Sequence, residues 1–322
     1  MTFSSKAVWG GCLVLALSLP LGASAQTPAP APAPQAPSTP ATPDPATPVT
    51  PDPAATPAPD QAAAATSDPD VRLDPLQPDF NLTALPTTLR LPEHKMAFRV
   101  THRFTRSWGR GDIGDLANDF FGFDSSAQIG LEFRYGLLPG TQIGVHRTSN
   151  RTIEIFGQQS IWTEKPKGHP LSIDAIATIE GLNNFMAVES FDGTTSRHQN
   201  ASALGLLVSR KAGKIAALYA EPIFVVNSSP LLTGENNTMM MGFGARVRIR
   251  PTTYLVGEVT PRLSGYRPGV TQMGFALEAR AGGHTFQINF SNGFGTTLGQ
   301  IATGGVDYSS WYIGFNISRK FF

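Results

Sequence analysis

Ser309–Phe322 reads SSWYIGFNISRKFF. Trp311, Ile313, Phe315, Ile317 and Phe321 fall on one parity, and Tyr312, Gly314, Asn316 and Ser318 fall on the other. Successive side chains of a strand point to opposite faces, so this is a strand with one apolar and one polar face. Arg319 alone interrupts the apolar row. A strand that shows its apolar face to lipid and its polar face to a lumen, and ends on aromatics at the membrane edge, is the closing strand of a transmembrane β-barrel. The expectation is an all-β, antiparallel up-and-down barrel in which those five residues face the membrane.

The rest of the chain has to supply the partners. Short alternating runs separated by turn residues begin near Leu91, and twelve strands are expected, at about 95–105, 126–137, 141–149, 152–162, 170–180, 201–210, 214–226, 238–250, 253–261, 272–280, 284–291 and 309–321. Most match the 9–11 residues that a tilted strand needs to cross a bilayer. The clearest alternation sets Met239, Met241, Phe243, Ala245, Val247 and Ile249 against Gly242, Gly244, Arg246, Arg248 and Arg250. A soluble sandwich would alternate too, with the opposite face inward. Connection lengths favour the barrel: 106–125, 181–200, 227–237, 262–271 and 292–308 are long, and Leu138–Gly140, Lys211–Gly213, Pro251-Thr252 and Ala281–Gly283 are short. Outer-membrane barrels have short periplasmic turns and longer outer loops. Two connections depart from the rule: Asn150-Arg151 is short where a loop is expected, and Thr163–His169 is long where a turn is expected.

Composition agrees. Charged residues make up 15% of the 322, below the roughly 25% usual for soluble proteins, and the 32 Gly and 27 Pro take up much of the difference. A formal charge of +1 gives no global attraction to nucleic acid. Residues 1–25 have the parts of a secretory signal: Lys6, an apolar run around Leu13–Leu19, Pro20, and Ala23-Ser24-Ala25 as cleavage site. The only cysteine, Cys12, precedes that run, so the mature chain is expected to have no thiol. Residues 26–90 are expected to be a disordered Pro/Ala-rich linker, and 91–322 the barrel. Its first 45 residues are nearly all Pro, Ala, Thr, Gln and Asp and cannot pack a core. An even strand number places that linker in the periplasm, where it would serve as a solvated spacer or as a tether to cell wall or a periplasmic protein.

The block Leu91–Thr148 resembles the start of a bacterial outer-membrane β-barrel family catalogued as a domain of unknown function. The similarity rests on HKMAFRVTHRF, on the Gly/Asp-rich loop leading to FFGFD, and on the first hairpin, IGLEFRYGL followed by PGTQIGV. It implies the fold and an outer-membrane location, and brings no activity and no catalytic residues. Surrounding lipid and the barrel-assembly machinery are the partners that this location implies.

By parity Arg99, Arg103, Glu132, Arg134, Glu154, Asp174, Glu180, Arg246, Arg248, Arg250, Glu258, Glu278 and Arg280 project into the lumen, while Glu221 is ambiguous. They would form either a salt-bridged polar core, because unpaired charge in a confined low-dielectric space is costly, or a water-filled pore. In the pore, Arg246, Arg248 and Arg250 would be the strip that attracts anions. Asp112, Asp115, Asp119 and Asp124 are possible Ca²⁺ oxygens, but their spacing matches no ordered calcium loop. Phe120, Phe121 and Phe123 would either meet the membrane surface or fold into the pore mouth. His146 points inward, yet neither Ser149 nor Ser160 lies in a nucleophile motif. The leading expectation is a porin-like channel or binding barrel for an unidentified small solute, with no enzyme activity, cofactor or metal. The alternatives are a non-conducting structural or interaction barrel and, more remotely, an outer-membrane hydrolase.

Overall fold

The computed structural model describes residues 74–165, 167–189, 196–197, 200–228 and 236–321, with the backbone alone for 188–189 and 196–197. The expected signal peptide, and residues 26–73 of the expected linker, lie outside the described residues.

Twelve antiparallel strands form the wall: β1 Met96–Ser107, β2 Ala127–Leu138, β3 Thr141–Thr148, β4 Ile153–Trp162, β5 Ser172–Gly181, β6 Asn200–Ala212, β7 Ala216–Val226, β8 Thr238–Arg250, β9 Thr253–Thr260, β10 Gln272–Ala281, β11 His284–Ser291 and β12 Tyr312–Phe321. Arg262–Gly265 prolongs β9 past Pro261 and pairs with the start of β8. Each strand pairs with the next, and β12 returns to β1 with Met96 opposite Phe321 and Arg103 opposite Gly314, which closes the sheet. Closure removes every free edge, the condition for a sheet to sit in lipid.

Burial decides which face is which. Outward residues such as Phe133, Leu204, Leu255, Phe275 and Ile288 are exposed, while inward Arg99, Arg103, Arg246, Glu278 and Asp174 are buried. That inverts the soluble arrangement and is what a hydrocarbon solvent demands. Trp311, Phe315, Ile317 and Phe321 lie on the outward side of the closing strand; Ile313, the cross-strand neighbour of Phe290, lies there too but is buried. Arg319 is outward at the turn end, 2.8 Å from His284 and over the Phe321 ring. That is the edge position where an arginine reaches headgroups.

Two departures from expectation have a clear physical cause. The last strand begins at Tyr312 instead of residue 309, because the Asp307 side chain accepts the N–H groups of Ser309 and Ser310 at 2.8 and 2.6 Å and turns the chain there. The larger correction concerns residues 74–90, expected as linker. They enter the barrel from its turn end, double back, and leave to start β1. The physical reason is composition: Leu76, Phe80, Leu82, Leu85 and Leu89 are fully buried and give this stretch a core that the Pro/Ala-rich chain before it lacks. The hairpin is closed by Leu82 N–H to Leu85 C=O and Thr87 N–H to Phe80 C=O, both at 2.7 Å.

The loop between β11 and β12 folds inward from the opposite end. Its short helix α1, Leu298–Thr303, is capped by the Thr297 hydroxyl and buries Leu298, Ile301 and Ala302. These residues join Leu82, Leu85, Ile176, Leu207, Ile223 and Met240 in one apolar cluster inside the wall.

The filled lumen as candidate functional site

Most inward charges meet the hairpin, the inward loop or one another; among the described residues the buried Glu221 carboxylate is an exception, with no hydrogen-bond partner on either oxygen. At the hairpin tip, the Glu258 carboxylate on β9 accepts the N–H groups of Thr83, Ala84 and Leu85 at 3.0–3.1 Å. The Thr83 carbonyl accepts from Arg99 at 2.9 Å, Arg103 at 3.1 Å and Asn316 at 3.0 Å. Consecutive backbone N–H groups converging on one carboxylate make an anion nest, and here the wall supplies the anion. Lower in the hairpin, Arg246 donates to the Asn81 carbonyl at 2.7 Å and pairs with Glu278, Nε to Oε1 2.9 Å. Gln287 donates to the Leu82 carbonyl and Gln158 to that of Thr87, both at 3.0 Å.

A second group lies on β1 to β4. Glu132 pairs with Arg134 and lies 3.6 Å from Arg99. Arg134 also donates to the Asn81 side chain at 2.8 Å, with its guanidinium over the Phe80 and Phe156 rings. His146 Nδ1 lies 4.0 Å from Glu132 and 3.9 Å from Glu154. Glu154 and Glu180 accept the Leu298 and Gly299 N–H groups of α1 at 3.0 and 3.2 Å. At the turn end Asp174 pairs with Arg90, and Lys211 with Asp74 at 2.6 Å. Between hairpin and α1 remains a cavity of about 20 Å³, lined by Asn81, Ala84, Glu132, Glu154, Thr296 and Leu298 among others. That is room for about one water. A broader depression of about 800 Å³, lined by Phe133, Val145, Ile155, Gly157, Ala177 and Ile179, lies on the membrane side of the wall.

The expected inward set therefore separates. Arg99, Arg103, Glu132, Arg134, Glu154, Asp174, Arg246, Glu258 and Glu278 are buried, and Glu221, ambiguous by parity, joins them on the inward face of β7. The expected strip of three arginines does not stand as a unit: Arg246 is paired with Glu278, Arg248 reaches the Lys214 carbonyl near the turn, and Arg250 is exposed. The strand runs out of the barrel at its turn end, so parity continues where the lumen does not. Arg280 is half-buried near that same end. Ser149 and Ser160 are engaged away from His146, Ser149 Oγ with the Ile129 N–H at 3.0 Å and Ser160 Oγ 3.4 Å from Thr163 Oγ1. Asp112 caps the short helix α2, Ile113–Asn118, in a box with Asp115, and Asp119 pairs with Arg106.

The hairpin was missed because its prolines read as more linker; Leu76, Phe80, Leu82, Leu85, Leu89 and Leu91 within sixteen residues were the available signal. The inward loop had one as well: residues 292–306 contain no Lys, Arg, Asp or Glu, which is unusual for a loop in water.

A family model described as "Membrane bound beta barrel domain (DUF5777)" matches residues 79–321. The chain belongs to this family. The match starts at Asp79, inside the hairpin, so for this membrane-bound β-barrel the plug falls largely within the family domain. With its apolar outward wall, this membrane-bound β-barrel is a protein of the bacterial outer membrane. No curated protein matches it. Solved structures similar to it include the NanC porin, 8% identical over 71% of this chain and 100% of that one, TM-score 0.45. Others are outer membrane phospholipase A from Escherichia coli, 9% identical over 70% and 92%, TM-score 0.39, and Omp33 from Acinetobacter baumannii, 11% identical over 71% and 99%, TM-score 0.35. A porin and a phospholipase stand side by side among them, and the likeness is of fold alone.

Proposed function

We propose that this protein is a plugged outer-membrane barrel that conducts nothing at rest and anchors the chain preceding Asp74 at the periplasmic face. The observation that carries this reading is the hairpin held across the lumen by Glu258, Arg99, Arg103 and Arg246, with about 20 Å³ left between it and the inward loop. A passage for solutes needs continuous water, and the charges that would line it are turned onto backbone groups of the plug. Asp74, held by Lys211, lies at the turn end, so the preceding residues are presented to the periplasm for cell wall or a protein partner. Among the described residues no serine hydroxyl hydrogen-bonds His146, which is buried beside Glu132 and Glu154. Planar-bilayer recording of the refolded full chain tests this directly: silence is expected, and steady discrete conductance would restore the passive-passage reading.

One observation favours a second reading, a gated passage. The hairpin backbone is held by Glu258, Arg99, Arg103, Arg246, Gln158, Gln287 and Asn316, groups that water can satisfy in its place. The hairpin joins the wall covalently at Met96, where β1 begins, so it can withdraw without breaking a strand pairing of the wall. Brief voltage-dependent steps in the unmodified chain, absent when the plug is cross-linked to the wall, would support gating.

A further inference from the structure

The first long loop, between β1 and β2, lies over the outside of the barrel instead of its mouth. Phe104 is on the outward face of β1, where its neighbours meet lipid, yet it is only 8% exposed. Phe123 from the loop covers it edge-on, ring centroids 4.9 Å apart, and Phe120 packs on Phe123 at 5.7 Å. Trp108 packs on outward Phe290 of β11 at 4.8 Å, and its indole N–H donates to the Phe121 carbonyl at 2.9 Å. The loop thus continues the outward aromatic wall formed by Phe104, Phe290 and Phe315 and adds a second layer to it.

That second layer is bare. Phe120 is 61% exposed, and Phe121 and Phe123 are exposed too. Phe120 and Phe121 also hold positive φ angles of 47° and 56°. For a bulky residue the left-handed region is strained, and such strain is kept where the surroundings reward it. In water, three exposed phenylalanines on a strained turn would be doubly unfavourable. Three of the loop's four aspartates are engaged: Asp119 with Arg106 of β1, Asp112 with the N–H groups of Gly114 and Asp115, and Asp115 with the Asp112 N–H.

We propose that residues 108–126 form a foot that inserts Phe120, Phe121 and Phe123 into the outer leaflet beside the barrel. The occupant of the face is lipid, because the foot is continuous with a wall that already faces hydrocarbon. Aromatic rings are placed at that depth in outer-membrane barrels.

The test uses a nitroxide on the full chain in lipid vesicles, with Cys12→Ser to leave a single reactive thiol. Labels at Phe120→Cys, at membrane-facing Leu255→Cys and at loop residue Tyr308→Cys are compared for collision with oxygen and with a water-soluble nickel chelate. The label at 120 is expected to lose chelate accessibility and to match the label at 255. Accessibility matching the label at 308 would place the loop in water and overturn the proposal. Dipolar broadening at 120 that vanishes on dilution with unlabelled protein would overturn it in favour of contact between two copies. Phe121→Ser with Phe123→Ser should move the label at 120 toward water while the label at 255 stays unchanged; no movement would also count against the foot.

Discussion

The two segments that fill the lumen are held by the same chemistry in different amounts. Both offer backbone N–H groups to wall carboxylates: the hairpin gives three to Glu258, and α1 gives one each to Glu154 and Glu180. The hairpin adds cations on its carbonyls, with Arg99 and Arg103 on Thr83 and Arg246 on Asn81. The inward loop relies more on Leu298, Ile301 and Ala302 in the apolar cluster. The difference follows from how each is tethered. The loop joins two neighbouring strands and cannot leave far, so a few contacts suffice. The hairpin is tied to the wall at one end, and what keeps it inside must be supplied by side chains.

The largest way to break the comparison is to delete residues 74–90. The stabilisation from burying five large apolar side chains goes with them, at about 2 kcal/mol each, or on the order of 10 kcal/mol together. The barrel should remain heat-modifiable on gels, and bilayer recordings should change from silence to discrete conductance. Continued silence would mean that the inward loop alone closes the barrel.

Glu258→Gln should free the hairpin tip next. Weakening charge-assisted bonds to three N–H groups costs about 3 kcal/mol, which raises amide exchange at residues 83–85 by on the order of 100-fold. Equal change at 298–303 would show that the two segments open together. Glu154→Gln touches one bond of the inward loop, so about tenfold faster exchange is expected there, with the hairpin unaffected.

The smallest expected effect is outside the membrane. Hydrogen bonds from Ser310 and Ser309 pull the fully exposed Asp307 carboxyl down to about 2. Its folded value lies below the roughly 3.9 of an unfolded aspartate, so its stabilising contribution is present above that pH and lost as pH falls toward 2. NMR of the Ser309 and Ser310 amides should show the turn loosening over that window while strand amides hold. Amides unchanged down to pH 2 would remove Asp307 as the cause of the late start of β12.

Most of the wall was legible because a strand's period is two and each strand carries its own evidence. Met239–Ile249 can be read without knowing what β8 pairs with. The two ill-fitting connections were real features of the wall: Arg151 sits in a tight outer turn at φ 65°, and residues 163–171 join β4 to β5 at the turn end. The plug was not legible in the same way. No period marks residues 74–90, and the partners of the Thr83 carbonyl lie 16, 20 and 233 positions away.

The sequence by itself determined a twelve-stranded barrel and its closing strand, because alternation is local and lipid inverts it in only one way. Only the tertiary structure decided that the lumen is filled. Whether Arg99 and Arg103 face water or the carbonyl of Thr83 depends on a segment folded in from beyond the wall, and burial of charge is resolved by whichever partners come within hydrogen-bond reach. The closing strand was readable from its last dozen residues; what it encloses was set by a hairpin at the other end of the domain.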